Sequence, residues 1–204
     1  MKKQQQLIAQ MTGEELYRQL FFTQVLLFVI GIIAAVFTFD HVKEFLILLK
    51  INPMIIITGV SAGIGIVLAD LFLMKHLPQH YYDDGGINEK IFSSLSPGKI
   101  AKLAACIAVC EELLFRGVIQ ANFGILCASI IFAVIHIRYF NHWYLAVNII
   151  ILSFIIGAVF AWTQSLWATI ILHFIVDFLL GLVIMKQSLH KNRKEGESHE
   201  TRPI

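Results

Sequence analysis

Long apolar runs constrain this chain more than any other feature. From about Leu20 onward, stretches of some twenty residues are almost free of charge. A helix needs about 20 apolar residues to cross a bilayer, and in lipid every backbone N–H and C=O must be satisfied within its own segment. Hydrophobic residues make up 57% of the 204 residues and charged ones only 15%, whereas soluble domains run near 45–50% and about 25%. Soluble, disordered, fibrous and disulfide-scaffold classes are therefore excluded. The expected fold is an all-α, polytopic transmembrane helix bundle. A net charge of +2, without a basic stripe interleaved with aromatics, argues against a nucleic-acid partner. The implied partners are membrane lipid and whatever segment the bundle admits.

Cap signals divide the runs. Thr12 and Glu15 have capping-box spacing ahead of the first, and Asn52-Pro53 and Ser96-Pro97 pair a cap with proline in the first turn. The reading gives six spans: about Leu16–Phe39, Pro53–Met74, Pro97–Ala121, Gly124–Ile137, Trp143–Trp162 and Leu166–Met185. The first is read as a retained helix, since no small-residue cleavage site follows it. Asp40–Lys50 is an amphipathic connector suited to an interfacial or re-entrant helix. Gly59 and Gly63, at small-xxx-small spacing, allow a close helix approach. Asn122-Phe123-Gly124 is a tight break. Lys75–Leu95 is a polar loop whose Asp83–Asp84 pair reads as a solvated turn rather than a cation site. Residues 1–15 form a cytoplasmic N-terminal segment, 16–185 a single transmembrane domain, and 186–204 a charged, unstructured cytoplasmic tail.

With both termini cytoplasmic, the inner segments hold Lys2, Lys3, Arg18, Lys75, Lys90, Lys99, Lys102, Arg138, Lys186, Lys191, Arg193, Lys194 and Arg202. The outer ones hold only Lys43 and Lys50. This is a positive-inside bias. Cys106, Cys110 and Cys127 lie within apolar runs and read as small packing residues, not as a thiol pair or a metal site.

Ionisable groups inside spans are costly and default to a functional reading. They concentrate in three places: Glu111, Glu112 and Arg116 in CEELLFRG; His136 in FAVIHI; His173 and Asp177 in HFIVDF. Glu112–Arg116 and His173–Asp177 are each four apart, on one helix face. Counted from the outer helix ends at 1.5 Å per residue, Glu112 lies about 15 Å deep, His136 about 18 Å, Asp177 about 17 Å and His173 about 10 Å. Adjacent glutamates point about 100° apart and are suited to different tasks. A single Glu–Arg or His–Asp pair would be read as neutralised glue between helices. Two glutamates, an arginine, two histidines and an aspartate at matching depth favour a water-activating site. Asn148, the other strongly polar mid-span group in this reading, Asp70 near its helix end, and the loop histidines receive no role.

Glu111-Glu112-x-x-x-Arg116, Phe132-x-x-x-His136 and His173-x-x-x-Asp177 resemble the three ordered motifs of the CPBP intramembrane proteases. That family contains the type II CAAX prenyl endopeptidases and bacterial relatives linked to bacteriocin processing and immunity. The resemblance covers about Pro97–Leu180, and it extends to EELLFRG and SLWATIILHF. It departs at Asp177, where the family's third motif usually carries asparagine; an ionised aspartate cannot donate a hydrogen bond to an oxyanion.

The resemblance implies an intramembrane endopeptidase acting on a membrane-associated peptide or protein, lipidated in the eukaryotic branch. It sets a glutamate of the first motif and the histidine of the second on the attacking water. The assignment adopted is Glu111 as general base with His136, Glu112 with Arg116 as a supporting ion pair, and His173 with Asp177 at the oxyanion, the reverse order of the glutamates being the alternative. No cofactor is required by this reading; zinc on Glu111, His136 and His173 is the alternative. Two other function classes compete: a membrane scaffold or immunity protein, and an ion or proton transporter. The expected location is a bacterial cell membrane.

Overall fold

A computed structural model describes residues 10–200, so Lys2, Lys3 and Arg202 lie outside the described residues. Every regular element among those residues is helical. Helix α1 (Gly13–Thr38) starts at the expected capping box: Thr12 N–H donates to Glu15 Oε2 (2.7 Å), and Glu15 N–H donates to Thr12 Oγ1 (3.2 Å). A short helix α2 (Val42–Ile47) follows within the amphipathic connector. Helix α3 (Pro53–His76) is capped by Asn52 Oδ1, which accepts from Ile55 N–H. Two small helices, α4 (Gln79–Tyr82) and α5 (Ile87–Ser93), occupy the polar loop. Helix α6 (Pro97–Glu112), a π-helical segment (Leu113–Gln120) and α7 (Ala121–Ile135) form one helical run. A 3-10 turn (Ile137–Asn141), α8 (Trp143–Thr163) and α9 (Leu166–Glu200) complete the chain.

Five helical runs are long and apolar enough to cross a membrane: Gly13–Thr38, Pro53–His76, Pro97–Ile135, Trp143–Thr163 and Leu166–Lys191. The sequence reading counts six, because it divides Pro97–Ile135 in two. The run is not a straight rod. Phe115 and Phe132 would be separated by about 25 Å along one helix, yet their ring centroids lie 4.9 Å apart. The chain doubles back at Gly124, whose φ of 82° and ψ of 168° interrupt the helix. Glycine adopts this left-handed φ without a Cβ penalty.

Two further expectations are corrected. The segment from Lys186, read as unstructured, continues α9 as far as Glu200. Its Lys, Glu, Gln and Arg residues are good helix formers, and Lys191 Nζ approaches Glu89 Oε1 of α5 at 3.6 Å. Asp84 is not a solvated turn residue: its side chain is 7% exposed and paired with Arg138 Nη2 at 3.2 Å. Asp83 does act in the turn, accepting from the Gly85 and Gly86 N–H groups.

The bundle is closed at both ends. At one, Leu166 N–H donates to Leu48 O (2.8 Å) and Ser165 Oγ–H to Lys50 O (2.6 Å), so the α2 connector seals the start of α9. Leu48, Phe160 and Leu166 pack beneath it. At the other, Leu16, Ile91, Leu95, Ile100, Leu103 and Met185 form a cluster that draws α1, α5, α6 and α9 together. Between the ends α3 lies directly on α9. A Cβ on Gly59 would fall 2.6 Å from Ala168 O, and one on Gly63 would fall 3.0 Å from Ile175 and Leu172 O. These two glycines therefore set the α3–α9 spacing, as their sequence spacing predicts.

Two outcomes follow. Gly59→Val must push the α9 backbone away and is expected to cost about 1–3 kcal/mol, the usual range for overpacking. Gly65→Ala, with nothing within 4 Å of the added Cβ, is expected to hold or raise the melting temperature in detergent. At the Asp84 corner, burial pushes the carboxyl above the usual carboxylate range, while Arg138 and the Asn88 N–H pull it back. An acid raised on folding contributes stability at low pH and loses it as pH climbs through its folded value. Asp84→Asn is thus expected to gain melting temperature relative to wild type as pH rises from about 4 to 7; the opposite trend contradicts this account.

Candidate active site

Helix α6 ends on the two glutamates, and the wall behind them is polar. Glu112 is fully buried, with one oxygen hydrogen-bonded and the other in ion-pair contact. Its Oε1 lies 2.9 Å from His173 Nδ1 of α9, and its Oε2 lies 3.4 Å from Arg116 Nε. Arg116 is also fully buried. Its Nη2 donates to Ser153 Oγ of α8 (3.0 Å), and its Nη1 to Gln120 Oε1 (3.4 Å). Gln120 Nε2 donates in turn to Gly157 O (2.7 Å). The guanidinium carbon stands 5.5 Å from the centre of the Phe132 ring, a cation–π distance. One arginine thereby ties α6, the π segment, α7 and α8 together.

The π geometry begins at the residue after Glu112. Ala121 N–H bonds back to Arg116 O, an i→i+5 link. Such segments are rare and concentrate at functional sites. The sequence reading carries an α-helix through to Ala121 and misses this; the four-residue pairing of Glu112 with Arg116 survives it.

Glu111 faces another way, as the 100° step requires. It is 5% exposed and accepts a hydrogen bond from Gln24 Nε2 of α1 (3.1 Å). Asp177 lies one turn beyond His173, with its Oδ2 3.5 Å from His173 Nε2 and its side chain 27% exposed. Glu111, Glu112, His173 and His136 all act electrostatically on Asp177, so the six residues singled out from sequence converge on one region. His136 terminates α7. Its Nδ1 lies 2.8 Å from Phe132 O, and its ring stacks on Phe132 with centroids 4.4 Å apart. Beyond it Arg138 holds Asp84, Asn88 and the Tyr139 hydroxyl, which anchors the turn that carries the histidine.

The zinc set does not assemble. Among the described residues no three His, Cys, Asp or Glu side chains are grouped to hold a metal ion. Both ring nitrogens of His173 face carboxylates, and Nδ1 of His136 is taken by a backbone carbonyl. Glu111, His136 and His173 as placed do not offer a metal a common centre. Cys106 and Cys110 are free thiols with sulfurs 4.0 Å apart.

Sequence reasoning missed three members of the site. Gln24 breaks the apolar run FFTQVLLF, and a glutamine in mid-span is a readable signal. Ser153 and Gln120 carry no such mark; only the fold shows that they face Arg116. Asn148, left without a role, donates to Asp70 Oδ1 (3.4 Å) and links α8 to α3.

Residues 94–179 match the family described as Type II CAAX prenyl endopeptidase Rce1-like. The chain is also 40% identical over 174 residues to an uncharacterized protein, YpbD, of Bacillus subtilis (strain 168), a match covering 85% of this chain and 92% of that protein. No solved structure matches it significantly.

Arg116→Met leaves the Glu112 carboxylate buried without its cation. Removing one partner of a buried ion pair costs about 3–5 kcal/mol, so this variant is expected to lose folded protein in detergent-resistant fluorescence or thermal-shift measurements. Unchanged melting would show that Glu112 does not rely on Arg116.

Proposed function

Because the chain belongs to the type II CAAX prenyl endopeptidase Rce1-like family, we propose that it is an integral membrane endopeptidase in which Glu111 and His136 activate a water against a substrate peptide bond. The observation that carries the assignment is the division of labour between adjacent glutamates. Glu112 is sealed from solvent, with Oε1 hydrogen-bonded to His173 and Oε2 held against the Arg116 guanidinium as an ion pair. Glu111 holds one neutral hydrogen bond and retains the acceptor capacity a general base needs.

In this mechanism Glu111 takes a proton from water while His136 orients it. The hydroxide oxygen bonds to the scissile carbonyl carbon, and the carbonyl π electrons move to oxygen. His173 stabilises that oxyanion. Its Nδ1–H is donated to the Glu112 carboxylate, so the ring donates from Nε2 as the imidazolium that the facing carboxylates of Glu112 and Asp177 stabilise. The loose 3.5 Å contact to Asp177 leaves that Nε2–H available to the oxyanion. Asp177 orients the ring rather than donating, which accommodates an aspartate where relatives carry an amide. Collapse of the intermediate breaks the C–N bond, and the proton held by Glu111 passes to the leaving nitrogen. Arg116 neutralises Glu112 and keeps its charge from competing with Glu111 for the proton.

The substrate class proposed is a peptide or membrane-protein segment reaching the site from the bilayer, with prenylated C-terminal peptides as the first probe because of the family match. A bacterial cell membrane, with both termini cytoplasmic, is supported by the lysine and arginine distribution and by the Bacillus relative.

Purified protein is expected to cleave a farnesylated CAAX peptide or a member of a quenched peptide library. Glu111→Gln and His136→Ala are each expected to reduce kcat at least about 100-fold, as loss of general acid–base catalysis does, without loss of folded protein. If cleavage survives in both variants, the site is not the protease centre. A phenotype retained by both would favour a scaffold, and altered proton flux in vesicles would favour a transporter.

A further inference from the structure

We infer that Gln24, on the first membrane helix and outside the segment that matches the family, is a positioning residue for Glu111 and for the water it deprotonates. The inference rests on the reading of Glu111 as the general base.

Helix α1 is the least buried of the long helices. Only three of its residues are buried: Leu16, Gln24 and Gly31. Gly31 allows the approach, since a Cβ there would overlap Leu113 Cδ2. That close passage is next to the glutamates in sequence, and it seats Gln24 against Glu111 with Nε2 3.1 Å from Oε1. Gln24 is 3% exposed. Its Oε1 is buried and has no hydrogen-bond partner among the described residues. A buried amide oxygen without a donor is costly, and packing alone would be met by leucine, which stands nearby at Leu20, Leu26 and Leu27. The two ends of the amide do different things. The N–H end holds one oxygen of Glu111, which fixes the carboxylate plane. The C=O end is an acceptor for one hydrogen of a water whose other hydrogen points at Glu111. A water held at both hydrogens presents its lone pairs outward, toward the carbonyl carbon to be attacked.

The other groups acting around Glu111 do not supply this. Cys110, His173 and Asp177 feel its charge, but among the described residues the side chain hydrogen-bonded to it is that of Gln24.

The test compares Gln24→Met with Gln24→Ser. Methionine keeps the volume and removes both hydrogen-bonding ends. Serine loses volume but leaves room for water to bridge to Glu111. A positioning role ranks activity as wild type, then Ser, then Met, with kcat for Met down about 10–100-fold, the loss of one hydrogen bond to a charged group, and KM changed less than about threefold. A packing role ranks Met above Ser and overturns the inference.

A second readout needs no substrate. A hydrophobic carbodiimide, to which a carboxyl group adds across one C=N bond to give an O-acylisourea that rearranges by O-to-N acyl transfer to the stable N-acylurea, is applied to each folded protein. Modification of Glu111 is followed by peptide mass spectrometry. Release of the carboxylate from its amide donor is expected to speed labelling in the order Met, Ser, wild type. Equal labelling in all three overturns the Gln24–Glu111 coupling. Failure of wild type to cleave any peptide, with labelling ranked as expected, leaves that coupling in place and rejects the protease reading instead.

Discussion

The fold turns on a buried arginine. Arg116 lies at 0% exposure in a chain whose surroundings are lipid and packed side chains, where an unpaired charge is not tolerated. Its guanidinium is paired with Glu112, donates to Ser153 and Gln120, and lies over the face of Phe132. Glu112 and Gln120 flank it at four residues on its own helical run, whereas Phe132 and Ser153 come from α7 and α8, so the cation can be buried only when those helices are assembled. A buried ion pair of this kind contributes little net stability compared with apolar packing. Its effect is to make one arrangement of the helices much better than the alternatives.

That arrangement separates two chemically identical residues. Glu112 is drawn into the arginine cluster and is also bonded to His173. Glu111, one residue earlier, is turned by the helix toward α1 and Gln24. Neither environment is available to the other, and a general base needs an oxygen that is not already spoken for. The π segment starts directly after the pair. Its wider turn lets Arg116 reach back to Glu112 while Gln120 reaches across to Gly157.

The second motif is delivered by a reversal rather than by a separate full-length span. Gly124 turns the chain, so that α7 runs back along the π segment. Phe132 then lands on both Phe115 and Arg116. His136, stacked on Phe132, is placed at the end of this short return and held from beyond by the Arg138–Asp84 contact. Both ends of the bundle are sealed, by the α2 connector at one and by α1, α5, α6 and α9 at the other. The site is therefore set between fixed ends.

Much of this was legible in the residues. The apolar runs dictate a helical membrane bundle because lipid offers the backbone no other partner. The caps at Thr12, Asn52 and Ser96 mark helix starts because their side chains satisfy orphan N–H groups, and Gly59 and Gly63 mark a close crossing. The six ionisable residues stood out because charge in a span is expensive, and Gln24 was legible by the same rule though it was passed over. Other features are properties of the assembled chain. No local pattern distinguishes the π turn from an α-helix, fixes that Gly124 reverses the chain rather than merely bending it, or shows that Ser153 and Gln120 face the arginine. Nor could spacing say which glutamate is occupied. The sequence by itself determined the class of fold and the chemistry gathered within it, because hydropathy and charge are local quantities. Tertiary structure decided the partners, because hydrogen bonds between distant residues depend on where the helices cross.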